Sequence, residues 1–164
     1  GGLLPMGYAQ VSQLHIAAAK GHVEDIDSVL AAAPTALRHW HSRTGELTPL
    51  HVGLLCGHQA VVEQLLTMDD LDPTIATAGG MQPLHIASAS MPQAIDLLLR
   101  KGCDVNSRIQ CNDTPLHVAA AHDRLDCVET LLRAQADPSA ANKWGVTPLH
   151  IAAAHAGAAG HTAE

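Results

Sequence analysis

The chain has 164 residues, about one ordinary domain by length, with a net charge of −7, 28 alanines, 12 histidines, two tryptophans, one tyrosine and no phenylalanine. The acidic balance argues against nucleic acid and anionic membranes as partners, which select basic patches, and no apolar run approaches the roughly 18 residues of a membrane span. With aromatics at 2% and charged residues at 15%, any core must be built from Leu, Ile, Val and Ala, which favours thin layers of close helices over a core of large rings.

Residues 1–7 read as an N-terminal extension or a remnant of cloning. They lack the basic start of a signal peptide. From there one tetrapeptide recurs five times: Ser12-Gln13-Leu14-His15, Thr48-Pro49-Leu50-His51, Gln82-Pro83-Leu84-His85, Thr114-Pro115-Leu116-His117 and Thr147-Pro148-Leu149-His150. Its histidines are 36, 34, 32 and 33 residues apart. Repetition at such a period predicts stacked supersecondary units. Each histidine is followed by Ile or Val and then small residues, which predicts a first helix.

Its start has a mechanical reason. Thr at the N-cap accepts a hydrogen bond from the N3 backbone. Pro suits N1, where a missing N–H is no loss. Leu at N2 enters the core, and His at N3 takes the Glu/Gln slot of a capping box. Thr48, His51, His85, Thr114, His117, Thr147 and His150 are therefore expected to be structural cap residues.

A short turn follows, as in Lys20-Gly21-His22 and Cys56-Gly57-His58. A second helix is then expected from the stripes Ile26, Val29, Leu30; Val62, Leu65, Leu66; Ile95, Leu98, Leu99; and Val128, Leu131, Leu132, each at i, i+3, i+4. Asp72-Pro73, Gly102-Cys103-Asp104-Val105-Asn106 and Asp137-Pro138 end the units. Repeat one runs on through Ala33-Pro34 to His39-Trp40-His41. Repeat three lacks the Gly-His turn and has Ser90-Met91-Pro92 there. Repeat four puts Asp123 in place of the turn Gly. Repeat five has no complete second stripe, so a longer array or a neighbouring segment is expected to cover Leu149 and Ile151; a native monomeric, soluble chain ending at Glu164 would count against that.

T-P-L-H-x-A-A, then G-H, then L-L, then a loop of the G-A-D-x-N kind resembles the ankyrin repeat over residues 8–164. The resemblance implies an all-α solenoid of stacked helix–turn–helix units with hairpin-like finger loops. Its repeats are set at about 8–43, 44–77, 78–109, 110–142 and an incomplete 143–164. It also implies non-catalytic binding of a protein partner on a concave face made of finger tips and first helices.

Aligned on the histidines, finger tips fall four to seven residues before each His and first-helix ends four to five after it. The expected partner-binding set is Tyr8, Val11, Lys20, Arg43, Leu47, Cys56, Met81, Ser90, Gln110, Cys111, Asp113, His122, Lys143, Trp144, Val146 and His155. Trp144 is either the anchor of a binding surface, as exposed Trp often is, or packed on the neighbouring finger.

Five histidines, His15, His51, His85, His117 and His150, fall in the cap register one repeat apart, too far to share a metal ion, and His22 and His58 fall in the inter-helix turn. His39-Trp40-His41 lacks the Cys or carboxylate partners of a zinc site. The four cysteines form no C-x-x-C pair; Cys103 and Cys127 read as small core residues and all four as free thiols of an intracellular protein, cytoplasmic or nuclear. No phosphate loop is present. Neither cofactor nor metal is expected, and the chain is read as a monomer. Alternatives are a substrate-selecting or regulatory module of a larger protein (ubiquitin-ligase adaptor, channel or kinase) and, from a different class, a metal-dependent enzyme using the histidines. Leu98, Asp104 and Asn106 resemble the pattern hydroxylated in animal ankyrin repeats, although Asn106 can also simply bond its own turn.

Overall fold

Thr48 has the extended backbone of an N-cap, and its side chain accepts from the His51 amide at 3.3 Å while its own amide donates to His51 Nδ1 at 3.0 Å. This box, with Pro49 at N1, starts a helix that ends at Gly57 in the left-handed conformation. The same logic repeats along the chain. The computed structural model describes residues 6–32, 47–69 and 71–159, and among them the regular elements are α1 (Met6–Lys20), α2 (Val23–Ala32), α3 (Pro49–Cys56), α4 (Gln59–Leu66), α5 (Pro83–Ser90), α6 (Pro92–Arg100), α7 (Pro115–Ala121), α8 (Leu125–Arg133) and α9 (Pro148–Ala159).

These helices form two layers. The first helices α1, α3, α5, α7 and α9 pack in sequence, and the second helices α2, α4, α6 and α8 pack in sequence beside them. Each pair α1/α2, α3/α4, α5/α6 and α7/α8 also packs together. The all-α solenoid expected from the repeat is therefore the observed fold.

One core runs between the layers. Leu14, Leu50, Leu84 and Leu116 from the tetrapeptides meet Ile26, Leu65, Ile95, Leu98 and Leu131 from the second-helix stripes, all fully or nearly fully buried. Ala17, Ala87 and Ala119 fill the small positions between them. Cys103 and Cys127 are buried as expected, and burial pushes each thiol up to about 11. Both stay protonated at neutral pH and behave as small apolar residues.

The irregular turns also have physical reasons. Asp123 adopts φ 52° where other units use glycine, a conformation Asp tolerates better than most residues. Met91 closes α5 and opens α6, with Pro92 at N1. Gly21 is required: its φ is +78° and an added Cβ would lie 2.7 Å from His58 Nδ1.

One expectation is corrected here. His85 is not a cap residue, because its N-cap is Gln82, which makes no side-chain cap bond. Gln cannot place a hydroxyl on the N3 amide. The buried Nδ1 of His85 is left without a partner, and its Nε2 instead lies 3.2 Å from the Ser107 carbonyl.

Candidate functional site

Three finger loops are described, and they share one geometry. In each, the first residue's amide donates to the fifth residue's carbonyl: Thr77 to Met81 at 3.0 Å, Ile109 to Asp113 at 3.1 Å and Asn142 to Val146 at 2.9 Å. The fourth residue bonds back to the first and has positive φ: Gly80 at 78°, Asn112 at 64° and Gly145 at 75°. Gly and Asn are the residues that accept this conformation. The tip pairs therefore stand in register as Ala78-Gly79, Gln110-Cys111 and Lys143-Trp144. Their bulk grows from one end of the row to the other.

Trp144 is held out by a network rather than packed under a neighbour. Asn142 Oδ1 accepts from the amides of Trp144 and Val146, both at 3.0 Å. Asn142 Nδ2 donates to Asp113 Oδ1 at 2.8 Å, and the Lys143 amide donates to the Cys111 carbonyl at 3.0 Å. Finger five is thereby fixed onto finger four. Trp144 remains 65% exposed, with the Lys143 ammonium 4.6 Å from the ring centre, a cation–π contact.

Other members of the expected binding set divide by environment. Lys20, Cys56, Ser90, His122 and His155 are exposed at matching positions at or near the ends of first helices, and Leu47 is exposed at a finger base. Met81 and Val146 are half-buried. Gln110 and Asp113 have structural bonds: Gln110 Nε2 donates to the Ala78 carbonyl at 2.8 Å, and Asp113 Oδ2 accepts from the Cys111 thiol at 3.0 Å. The Tyr8 and Val11 side chains, Arg43 and the His39–His41 segment lie outside the described residues.

Leu55 was absent from the sequence-based set. It stands four residues after His51, inside the register that defined that set, and is 58% exposed. The signal was available, but a Leu in a helix that also carries Leu50 and Leu54 reads as core.

The repeat histidines do more than cap. Nδ1 of His51, His117 and His150 accepts from the amide of its own Thr at 3.0–3.2 Å, so the ring proton sits on Nε2. That proton points to the next repeat. His15 Nε2 lies 2.8 Å from the Leu47 carbonyl and His117 Nε2 3.0 Å from that of Val146. His58 Nε2 bonds the Ala19 carbonyl at 3.0 Å from the turn of the following repeat. His51 Nε2 is buried without a hydrogen bond, and desolvation lowers the pKa of His51 to about 4. Among the described residues no group of three or more His, Cys, Asp or Glu is placed to hold a metal ion.

Asn106 bonds its turn and its neighbour at once. Its amide donates to Asp104 Oδ1 at 2.9 Å, and its Oδ1 accepts from the Asp137 amide at 2.9 Å.

Charge separates the two layers. No first helix, α1, α3, α5, α7 or α9, contains Asp or Glu, whereas the second helices carry Glu24, Asp25, Asp27, Glu63, Asp96, Asp126 and Glu129. No helix of the described residues is long and apolar enough to cross a membrane.

A family model described as ankyrin repeats (3 copies) matches residues 14–109 and 84–162. The E3 ubiquitin-protein ligase KEG of Arabidopsis thaliana is 31% identical over 128 residues, which is 71% of this chain and 8% of that protein. The ankyrin repeat domain-containing protein SAT10 of Stachybotrys chartarum is 30% identical over 118 residues, 71% of this chain and 6% of its own length. The 85/88 kDa calcium-independent phospholipase A2 of Rattus norvegicus is 36% identical over 86 residues, 49% of this chain and 10% of the enzyme. The chain thus spans a tenth or less of the length of these curated relatives. The matched repeats, the paired helices and the capped tetrapeptides agree: the chain belongs to the ankyrin repeat family.

Proposed function

We propose that residues 8–164 act as a non-catalytic protein-recognition module that binds a partner through its finger tips and first-helix face. Ankyrin repeats are generally protein-interaction modules. The observation that carries the reading for this chain is Trp144: a large ring, 65% exposed, on a finger tied down by Asn142, Asp113 and Cys111. A rigid exposed aromatic loses little entropy on binding, the property that enriches Trp among hot spots. Leu47, Met81 and Val146 supply apolar area beside the row of tips, and Lys20 and Lys143 a cationic rim. The four cysteines are free thiols, which supports a reducing, intracellular setting.

The test is affinity capture with wild type and Trp144→Ala, compared by mass spectrometry and followed by titration of the captured partner. The variant is expected to bind at least ~2 kcal/mol more weakly with an unchanged melting temperature. An equal loss of stability, or undiminished binding, overturns the assignment of Trp144.

A second reading is favoured by the relatives, two of which are named as enzymes and are at least ten times longer than the stretch they share with this chain. In it these repeats select substrates for, or regulate, a larger protein. Sequencing the full-length transcript decides between a free-standing array and such a module.

A further inference from the structure

Resting on the recognition role above, we propose that fingers four and five bind an acidic segment of the partner, with a carboxylate held by Arg108 and Lys143 and a neighbouring aliphatic side chain laid on Trp144.

Arg108 stands just before finger four and is exposed. Its Nη1 donates to the Ala141 carbonyl at 3.0 Å, at the start of finger five, and to the Asn112 carbonyl at 3.4 Å. One corner of the guanidinium is thereby tied down. Among the described residues nothing accepts from its Nε or Nη2, the edge that can take a carboxylate with two parallel bonds. Arg124 uses that edge on Asp126 in this same chain, at 3.3 and 2.9 Å. Lys143 adds a second exposed cation one finger further on. Its ammonium stands 4.6 Å from the centre of the Trp144 ring, so positive charge and exposed apolar surface lie side by side. An acid next to an aliphatic residue matches that pair.

The surroundings set the place along the row of fingers. Finger three (Thr77–Met81), α7 and α9 contain no Asp, Glu, Lys or Arg. Asp113, the acid of finger four, is already engaged at both oxygens, by Asn142 Nδ2 and by the Cys111 thiol. The second helices hold Glu24, Asp25, Asp27, Glu63, Asp96, Asp126 and Glu129. In a chain of net charge −7, an acidic segment is repelled from that layer and drawn to fingers four and five, which fixes where it binds.

The experiment is an unbiased phage library of linear peptides, about 12 residues and ~40 Å long when extended, selected against the whole chain. Recovered peptides are expected to carry Asp or Glu beside Leu, Ile or Val. Binding of a recovered peptide should weaken at least ~threefold between ~50 and ~500 mM salt, because exposed ion pairs are screened. Lys143→Gln and Arg108→Gln should each weaken it about two- to fivefold, with the melting temperature unchanged. Changing the peptide's own acid to its amide should cost as much, and in a cycle with Lys143→Gln the two losses should not add. If Arg108→Gln lowers the melting temperature, the amide peptide and Lys143→Gln decide.

Basic or uncharged recovered peptides, salt-independent binding, additive losses in the cycle or failure to enrich any peptide overturns the proposal. A phosphoserine in place of the peptide's acid that binds at least ~tenfold tighter also overturns it, in favour of a phosphopeptide. Loss of binding in Trp144→Ala with none in Lys143→Gln or Arg108→Gln removes the acidic partner and leaves the tip-anchored function standing. Indifference to all three substitutions defeats both.

Discussion

Thr114-Pro115-Leu116-His117 and Thr147-Pro148-Leu149-His150 are the same four residues in two surroundings. Both make the same local bonds: the threonine amide donates to histidine Nδ1 at 3.1 and 3.2 Å, and the hydroxyl lies 2.9 and 2.8 Å from the same nitrogen. Yet Leu116 is 2% exposed and Leu149 is 74% exposed. α9 packs against α7, and no described element packs beyond α9. Helix initiation is thus written within four residues, while burial is conferred by the next repeat. In a solenoid these are separable energies.

Truncating the two leucines separates them most sharply. Leu116→Ala should cost about 2–5 kcal/mol, the transfer and cavity terms of a buried leucine. Leu149→Ala should fall within ~0.5 kcal/mol of wild type, as exposed substitutions do. Urea denaturation of both measures the difference. Equal losses would mean that Leu149 is covered in solution.

Acid tests burial through a different group. His51 is buried, and desolvation lowers its pKa from 6.5 to about 4. In that interval the unfolded chain binds the proton and the folded chain does not. Stability that is complete above pH 6.5 is therefore lost as pH falls towards 4, by about 3 kcal/mol in total. Protonation would also stop Nδ1 from accepting the Thr48 amide. His85 is lowered by desolvation as well and acts in the same direction. Urea melts between pH 7 and 4 should show the slope, and His51→Gln should flatten it. An unchanged slope in that variant would assign the acid sensitivity elsewhere.

Removing a cap probes the shared, local half of the comparison. Thr114→Ala and Thr147→Ala each delete the hydroxyl contact to the histidine Nδ1, each with an expected loss of about 0.5–2 kcal/mol. The Thr114 change should sit at the upper end, since it leaves His117 Nδ1 in the interior with one donor fewer. A larger loss at Thr147 would contradict the ordering by burial.

Much of this was legible in the sequence. The register of the tetrapeptide located five first helices, and the i, i+3, i+4 stripes located four second helices. Other features were not legible because they join residues about thirty positions apart. The Nε2 bonds of His15 to Leu47 and of His117 to Val146 depend on how closely one repeat seats on the next. A capping box accounts for only one ring nitrogen. The exposure of Trp144 was likewise left open, since it rests on Asn142 reaching Asp113 in the preceding finger. Leu55 was overlooked because hydropathy marks it as core, although its place in the repeat marks it as surface.

The smallest expected effect is a gain, and it comes from repeat three. Gln82 stands where repeats two, four and five have Thr. Its backbone, φ −87° and ψ 162°, already matches Thr48 at −83° and 164° and Thr114 at −94° and 167°. A threonine therefore needs no backbone change, and the extended region suits its branched side chain. Its hydroxyl would reach the His85 amide and donate to the buried, unpartnered Nδ1 of His85. Completing the box and relieving that atom should together raise stability by about 0.5–1 kcal/mol. The urea midpoint of Gln82→Thr should therefore rise, and Gln82→Val, isosteric with Thr but without the hydroxyl, should not share the gain. If both rise alike, the benefit comes from β-branching and the box has not formed. If Gln82→Thr is destabilised, the Gln side chain has a role in finger three that outweighs a cap.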